Sequence, residues 1–223
     1  MKRRKLLKAM GLAAIGGSSL AAHLACQAQA RAQIKKNDCG GNLTPPVPEG
    51  PYYKDEQLNR QDIAEGKAGV PLTLIFKVTD THCKPIKDAI VDIWQCDKDG
   101  VYSDFSRENT AGQKWLRGYQ KTDAEGGCTF KTIFPGWYNG RLTHIHGKLR
   151  VNGVTKETTN FFLPKEIENA VYKNTLYAKG PNPVTVARDI ELRGDTERYN
   201  ALMMSVKEDG KGGYTATFTL SGE

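Results

Sequence analysis

Histidine is scarce in this sequence, and closely spaced cysteine pairs are missing. Only four histidines occur in 223 residues, and no two of the five cysteines stand in a C-x-x-C arrangement. A structural zinc site of the usual kind is therefore poorly supported. No apolar run reaches the ~20 residues that a membrane span needs. A concentrated basic stripe is missing as well. The formal net charge is +7, but residues 1–30 hold five basic residues (Lys2, Arg3, Arg4, Lys5 and Lys8) and no acid, so the remainder carries only +2. That distribution excludes the electrostatic footprint of nucleic-acid binding. Internal repeats and low-complexity segments are also absent beyond the leader.

What stands at the N-terminus is a targeting pattern. Arg3-Arg4-Lys5-Leu6-Leu7-Lys8 is a twin-arginine signature, followed by an apolar stretch from Leu12 to Ala25 that Gly16, Gly17, Ser18 and Ser19 soften. Ala28-Gln29-Ala30 and Ala30-Arg31-Ala32 both fit a small-x-small cleavage site. The expectation is an exported protein, placed in a bacterial periplasm by the twin-arginine route and without a membrane anchor once the leader is removed. The organisation expected is a signal peptide over 1–30, a polar extended lead-in over 31–48 ending in Thr44-Pro45-Pro46-Val47-Pro48, and one domain over 49–223. Cys39, Cys83, Cys96 and Cys128 remain after the leader. An even count in an exported chain suggests two disulfides, with three pairings open.

The body of the chain reads as strands separated by turns. Leu72–Thr79, Ala89–Gln95, Trp115–Lys121, Cys128–Ile133 and Tyr214–Leu220 are β-branched or alternating segments. Thr143–Val151 and Thr158–Leu163 flank Asn152-Gly153, a strong hairpin signal. Turns recur about every ten residues, which predicts a mainly-β antiparallel sandwich. Pro164–Leu176 is the helix expected near the C-terminal third, and long loops connect the rest.

Two of the histidines, His144 and His146, form His-x-His within a predicted strand. Alternation puts both imidazoles on one face, where they can chelate a metal or simply hydrogen-bond at a surface. His82 lies in a turn beside Asp80 and reads as surface. Upstream, Pro135-Gly136 and Asn139-Gly140 make a turning loop that carries Tyr138 and Arg141. Tyr102 follows the turn Asp97–Gly100. Either tyrosine taken alone reads as a packing residue.

Four segments occur in a fixed order: Val91-Asp-Ile-Trp-Gln-Cys-Asp97, Gly100-Val-Tyr-Ser103, Thr132-Ile-Phe-Pro-Gly-Trp-Tyr-Asn-Gly-Arg141 and His144-Ile-His146. Together with Glu49-Gly50-Pro51-Tyr52-Tyr53, this order resembles the intradiol ring-cleavage dioxygenases of catechol, hydroxyquinol and protocatechuate, from about Pro48 to the C-terminus. The resemblance implies a prealbumin-like sandwich with one Fe(III) per active site. It places tyrosinate ligands at Tyr102 and Tyr138 and histidine ligands at His144 and His146. Arg141 takes the role of the charge-stabilising arginine. The family's outer-shell glutamine falls on Asn160, whose shorter side chain leaves that hydrogen bond lost, bridged by water or made from elsewhere. Pro51, Tyr52 and Trp137 are the pocket-wall candidates. The implied substrates are a small aromatic diol and O2, and relatives assemble as homo- or hetero-oligomers.

Phenolate and imidazole are hard and borderline donors that suit a trivalent iron. Tyrosine, with an ordinary pKa near 10, ligates only when a metal displaces its proton. Two other readings stand beside this one. A non-catalytic β-sandwich module would be expected to have lost at least one ligand, and a copper or zinc site on His144 and His146 alone leaves both tyrosines unexplained.

Overall fold

The computed structural model of the chain describes residues 43–222. The twin-arginine leader, most of the lead-in, and Cys39 lie outside the described residues. Eight strands form: β1 (Pro71–Thr79), β2 (Ile90–Trp94), β3 (Arg117–Lys121), β4 (Gly127–Ile133), β5 (His144–Val151), β6 (Val154–Phe162), β7 (Ser205–Glu208) and β8 (Tyr214–Ser221). They assemble into two four-stranded sheets, ordered β4-β1-β8-β7 and β3-β2-β5-β6.

Alternation dictates which side chains meet between the sheets. Leu72, Leu74, Phe76 and Val78 of β1 are buried completely. Val91, Ile93, Ile145, Leu149 and Phe161 face them from the other sheet in the same hydrophobic cluster. Phe161 is the keystone, with its ring 4.8 Å from Phe76 and 4.9 Å from Phe218. The mainly-β sandwich expected from the sequence is thus observed, with one difference. β1 and β8 run parallel, while every other pair of strands is antiparallel. Strands from the two ends of the chain share no hairpin turn, so nothing local forces them antiparallel.

Local chemistry explains where the elements begin and end. Asn152 and Gly153 both take positive φ, at 52° and 77°, so β5 turns directly into β6 and β6 starts at Val154, earlier than Thr158. β3 begins at Arg117 and not at Trp115, because Leu116 sits at φ 57°, outside any strand conformation. The helix expected over Pro164–Leu176 is confined to α1 (Lys165–Val171), with Pro164 at its N-cap position. A second helix, α2 (Thr196–Ala201), is held by Asp195, whose carboxylate accepts from the Arg198 amide. The lead-in residues 43–48 run extended. Thr44 donates to the Ser221 carbonyl at 3.1 Å and Val47 to the Thr158 carbonyl at 2.9 Å, which ties this segment to one strand of each sheet. No helix among the described residues is long and apolar enough to cross a membrane.

Candidate metal centre

The polar face of the β3-β2-β5-β6 sheet builds the site. On β5, Ile145, Gly147 and Leu149 turn inward, so His144 and His146 turn together to the opposite face. The register sets Arg117, Trp94, His146 and Asn160 side by side across four strands. Trp94 stacks on His146 as a result, at 4.8 Å between ring centres and 6° between planes. The inward position Gly147 must be small, because a Cβ there would fall into the Phe161 ring.

The two tyrosines arrive on loops that are bound to each other through their backbones. The Asp97 carbonyl accepts from the amides of Gly100 and Gly136, at 3.0 and 2.9 Å. Asp97 Oδ1 also accepts from the Asp99 and Val101 amides, which closes the turn before Tyr102. Approach this close requires glycine. A Cβ on Gly136 would land on the Lys98 carbonyl, and one on Gly100, at φ 82°, on that of Trp137. The loops therefore deliver Tyr102 and Tyr138 with ring centres 5.8 Å apart.

All four side chains named from the sequence converge. Tyr102 Oη lies 3.0 Å from His146 Nε2, the two Nε2 atoms are 3.1 Å apart, and Tyr138 Oη is 3.2 Å from His144 Nε2. Tyr102, His144 and His146 are almost entirely enclosed, while Tyr138 is half-buried. Burial pushes the Tyr102 phenol well above its ordinary value and Tyr138 up to about 12. It also holds both imidazoles well below theirs, aided by the Arg141 charge. His144 Nδ1 lies 2.6 Å from the Leu142 carbonyl, which keeps the proton on Nδ1 and leaves the Nε2 lone pair facing the centre. Two opposed Nε2 atoms and two phenol oxygens crowd one point, and a cation among them would engage all four. Among the described residues no group of three or more His, Cys, Asp or Glu could hold a metal.

Arg141 and Asn160 complete the surroundings. Arg141 is buried and pairs through Nε with Asp189 at 3.1 Å, while its Nη2 donates to Asn160 Oδ1 at 2.6 Å. Asn160 Nδ2 in turn donates to His146 Nδ1 at 3.0 Å, so here the His146 proton sits on Nε2 and must leave before that nitrogen can bind a cation. Despite its shorter reach, the asparagine bridges arginine and histidine directly. The pocket-wall candidates divide. Tyr52 stacks on Tyr102 at 4.0 Å and 11° and donates to Glu108. Pro51 is exposed at a turn. Trp137 donates to the Gly180 carbonyl and lies beneath Lys179, and no ring contact joins it to the four convergent residues among those described.

Trp94, Asp189 and Arg117 sit at the centre, yet none of them was singled out in the sequence. For Trp94 the signal was available, since it stands two residues from Asp92 on the alternating β2. Asp189 lies far along the chain with no local pattern to mark it. The cysteine expectation needs correction. Cys96 and Cys128 are buried free thiols, so two disulfides do not form among the four candidates. Cys96 faces the aromatic cluster of Trp94 and Tyr102, whereas Cys128 lies in the core between the sheets. Cys83 is disulfide-bonded.

Comparison with known proteins agrees with this geometry. Residues 47–165, 119 of the 223, match the family model described as Dioxygenase. A hydroxyquinol 1,2-dioxygenase of Corynebacterium glutamicum is 33% identical over 103 residues, spanning 44% of this chain and 33% of that protein. Catechol 1,2-dioxygenase 1 of Acinetobacter lwoffii is 28% identical over 141 residues, spanning 53% of this chain and 45% of that protein. The chain thus covers less than half the length of these two curated relatives. Among solved structures, an intradiol ring-cleavage dioxygenase from Tetranychus urticae superposes with a TM-score of 0.74 at 28% identity, covering 82% of this chain and 94% of that one. The dioxygenase domain of a carbohydrate-binding fusion from Streptomyces sp. SirexAA-E is 31% identical, with a TM-score of 0.59 and coverage of 81% and 97%. With sequence, fold and convergent side chains in agreement, the chain belongs to the intradiol ring-cleavage dioxygenase family.

Proposed function

We propose that this protein is a non-haem Fe(III) dioxygenase that cleaves a catecholic ring between its two hydroxyl-bearing carbons, using O2, to give a cis,cis-muconate-type product. The convergence of two phenol oxygens and two imidazole nitrogens on one point carries this reading. Tyr102, Tyr138, His144 and His146 would hold the metal, a donor set that suits ferric iron better than zinc. When bound, such an ion would chelate both catechol oxygens and draw electron density from the ring.

The chain's own residues divide the remaining work. Tyr138 is the more exposed of the two phenols, so its Oη is the one placed to take a proton from an incoming diol hydroxyl. Tyr102 stays enclosed and serves as the fixed donor. Arg141 bears electrostatically on both phenols and both imidazoles. A buried cation so placed stabilises negative charge as it develops on the ring. Its pairing with Asp189 orients the guanidinium, so the structural and catalytic readings of this arginine coexist. Tyr52, packed on Tyr102, supplies an aromatic wall for a flat substrate. The relatives named for hydroxyquinol, catechol and chlorocatechol delimit the substrates to assay. In this reading the leader exports the enzyme to the periplasm.

Purified protein, loaded with ferrous iron in air, should develop a strong visible tyrosinate-to-iron absorption. It should also turn over one of catechol, hydroxyquinol, protocatechuate or chlorocatechol with a rise in muconate absorbance. A preparation that stays colourless and leaves the whole panel unchanged would defeat the proposal.

A further inference from the structure

Two buried arginines flank the centre, and they are compensated differently. Arg141 has a carboxylate, Asp189, against its guanidinium. Arg117 is just as buried, with 2% exposure, yet among the described residues no carboxylate bonds it. Its Nε donates to Ser103 Oγ at 2.8 Å, Nη2 to the Ser103 carbonyl at 2.8 Å, and Nη1 to the Tyr52 carbonyl at 3.3 Å. Those acceptors are all neutral. They satisfy its hydrogen bonds without a contact ion pair, so the carboxylates that act on it do so at a distance. Glu56 and Asp104, the acids that act on it most strongly, are themselves paired with Lys114 at 2.6 Å and Lys54 at 2.5 Å.

The acceptors of Arg117 lie on both sides of Tyr102. Ser103 follows Tyr102 in the chain, and its hydroxyl is further fixed by donating to the Trp115 carbonyl at 2.6 Å. Tyr52 stacks on the Tyr102 ring. One guanidinium therefore clamps the backbone next to the phenol and the segment whose ring lies on it. It also stands cross-strand from Trp94, which stacks on His146.

We propose that Arg117 is a positioning residue for the metal centre, a buried guanidinium that holds Tyr102 in place through Ser103 and the Tyr52 segment. The inference rests on the reading of Tyr102 as a ligand.

The test uses the full chain with Arg117→Met, Arg117→Lys and Tyr102→Phe. Each is checked for fold by circular dichroism, then measured for iron retained against a competing chelator and for the wavelength of the visible band. Arg117→Met should bind iron about 10–100-fold more weakly, the range usual for a group that supports a metal ligand, and should shift the band. Arg117→Lys keeps the charge but not the three-way fork, so it should fall between parent and Arg117→Met on both measures. An Arg117→Met protein with parental iron affinity and band would overturn the proposal. So would an Arg117→Lys protein indistinguishable from the parent on both measures, because the fork would then not be what holds Tyr102. If Arg117→Met does not fold, Arg117→Gln, neutral but still a hydrogen-bond donor, is judged by the same two measures. Tyr102→Phe separates the failures: a parental band in that variant removes the ligand reading itself, whereas a lost band with unaffected Arg117 variants removes only the present inference.

Discussion

The two faces of the β3-β2-β5-β6 sheet are both buried, yet they serve opposite ends. Val91, Ile93, Ile145, Leu149 and Phe161 face the other sheet and carry no polar side-chain atom. Asp92, Trp94, His144, His146, Lys148 and Asn160 face the other way and are nearly as enclosed. Burial on the first face stabilises the fold by removing apolar area from water. On the second it imposes a cost that partners must offset, and they largely do: Asp92 receives bonds from Tyr53 and Arg150, Lys148 pairs with Glu49, and Asn160 joins Arg141 to His146. Among the described residues the Trp94 indole nitrogen has no hydrogen-bond partner. Strand alternation thus separates stability from chemistry by a single step along the chain.

That separation can be broken most sharply at two consecutive residues. Ile145→Ala empties the inner face and should cost about 2–5 kcal/mol of stability, a large share of a typical domain's total. His146→Ala, one residue on, should abolish the visible iron band and turnover while leaving a folded metal-free protein. Denaturant titration of both metal-free variants, paired with iron content, checks the contrast. A comparable loss of stability in His146→Ala would show that the outer face is structural after all.

Gly136→Ala probes the link between the tyrosine loops and should have the next largest effect. The added Cβ meets the Lys98 carbonyl, so the Phe134–Arg141 loop must move away from Asp97, costing about 1–3 kcal/mol as overpacking does. Because this contact holds Tyr102 and Tyr138 together, iron affinity should fall by more than the stability change alone would suggest. Chelator competition beside a thermal melt measures both.

How much of this was legible in the sequence follows the same division. Alternation in β1, β5 and β8 and the Asn152-Gly153 turn are local signals, and they marked the strands and the shared face of His144 and His146. Strand β7, Ser-Val-Lys-Glu, carries one apolar residue and gave no pattern. Helix α2 spans only six residues, too few for periodicity to register. The parallel β1–β8 pairing and the Arg141–Asp189 contact join distant parts of the chain, which no local window contains. The tyrosines became legible only through the order of motifs around them. Their delivery depends on Gly100 and Gly136, whose necessity shows in backbone contacts between separate loops.

Asn160 offers a smaller test on the polar face itself. Asn160→Leu keeps the volume and removes both the acceptor for Arg141 and the contact with His146 Nδ1, so iron affinity should drop about tenfold, toward the lower end of the range for outer-shell partners. Asn160→Asp, able to accept from both neighbours, should retain more iron than Asn160→Leu. Equal retention by the two variants would mean that the Arg141–Asn160–His146 bridge does not support the centre.

The smallest expected effects come from the two free thiols, one on each side of the sheet. Cys128→Ala and Cys96→Ala should each cost about 1 kcal/mol, the ordinary scale for a single buried substitution. Their consequences for the centre should differ. Cys128 packs between the sheets beside Phe76, its partner across β1 and β4, so its loss should leave the iron band where it was. Cys96 packs with Trp94 and Tyr102, and its thiol donates to the Gly136 carbonyl at 3.5 Å. Removing it loosens the loop junction that sets the two phenols, so the band should shift although stability barely changes. Thiol titration of the unfolded parent under non-reducing conditions should also find both cysteines reactive. A disulfide at either position would remove that reactivity and, with it, the ground for treating Cys96 as a packing neighbour of Tyr102.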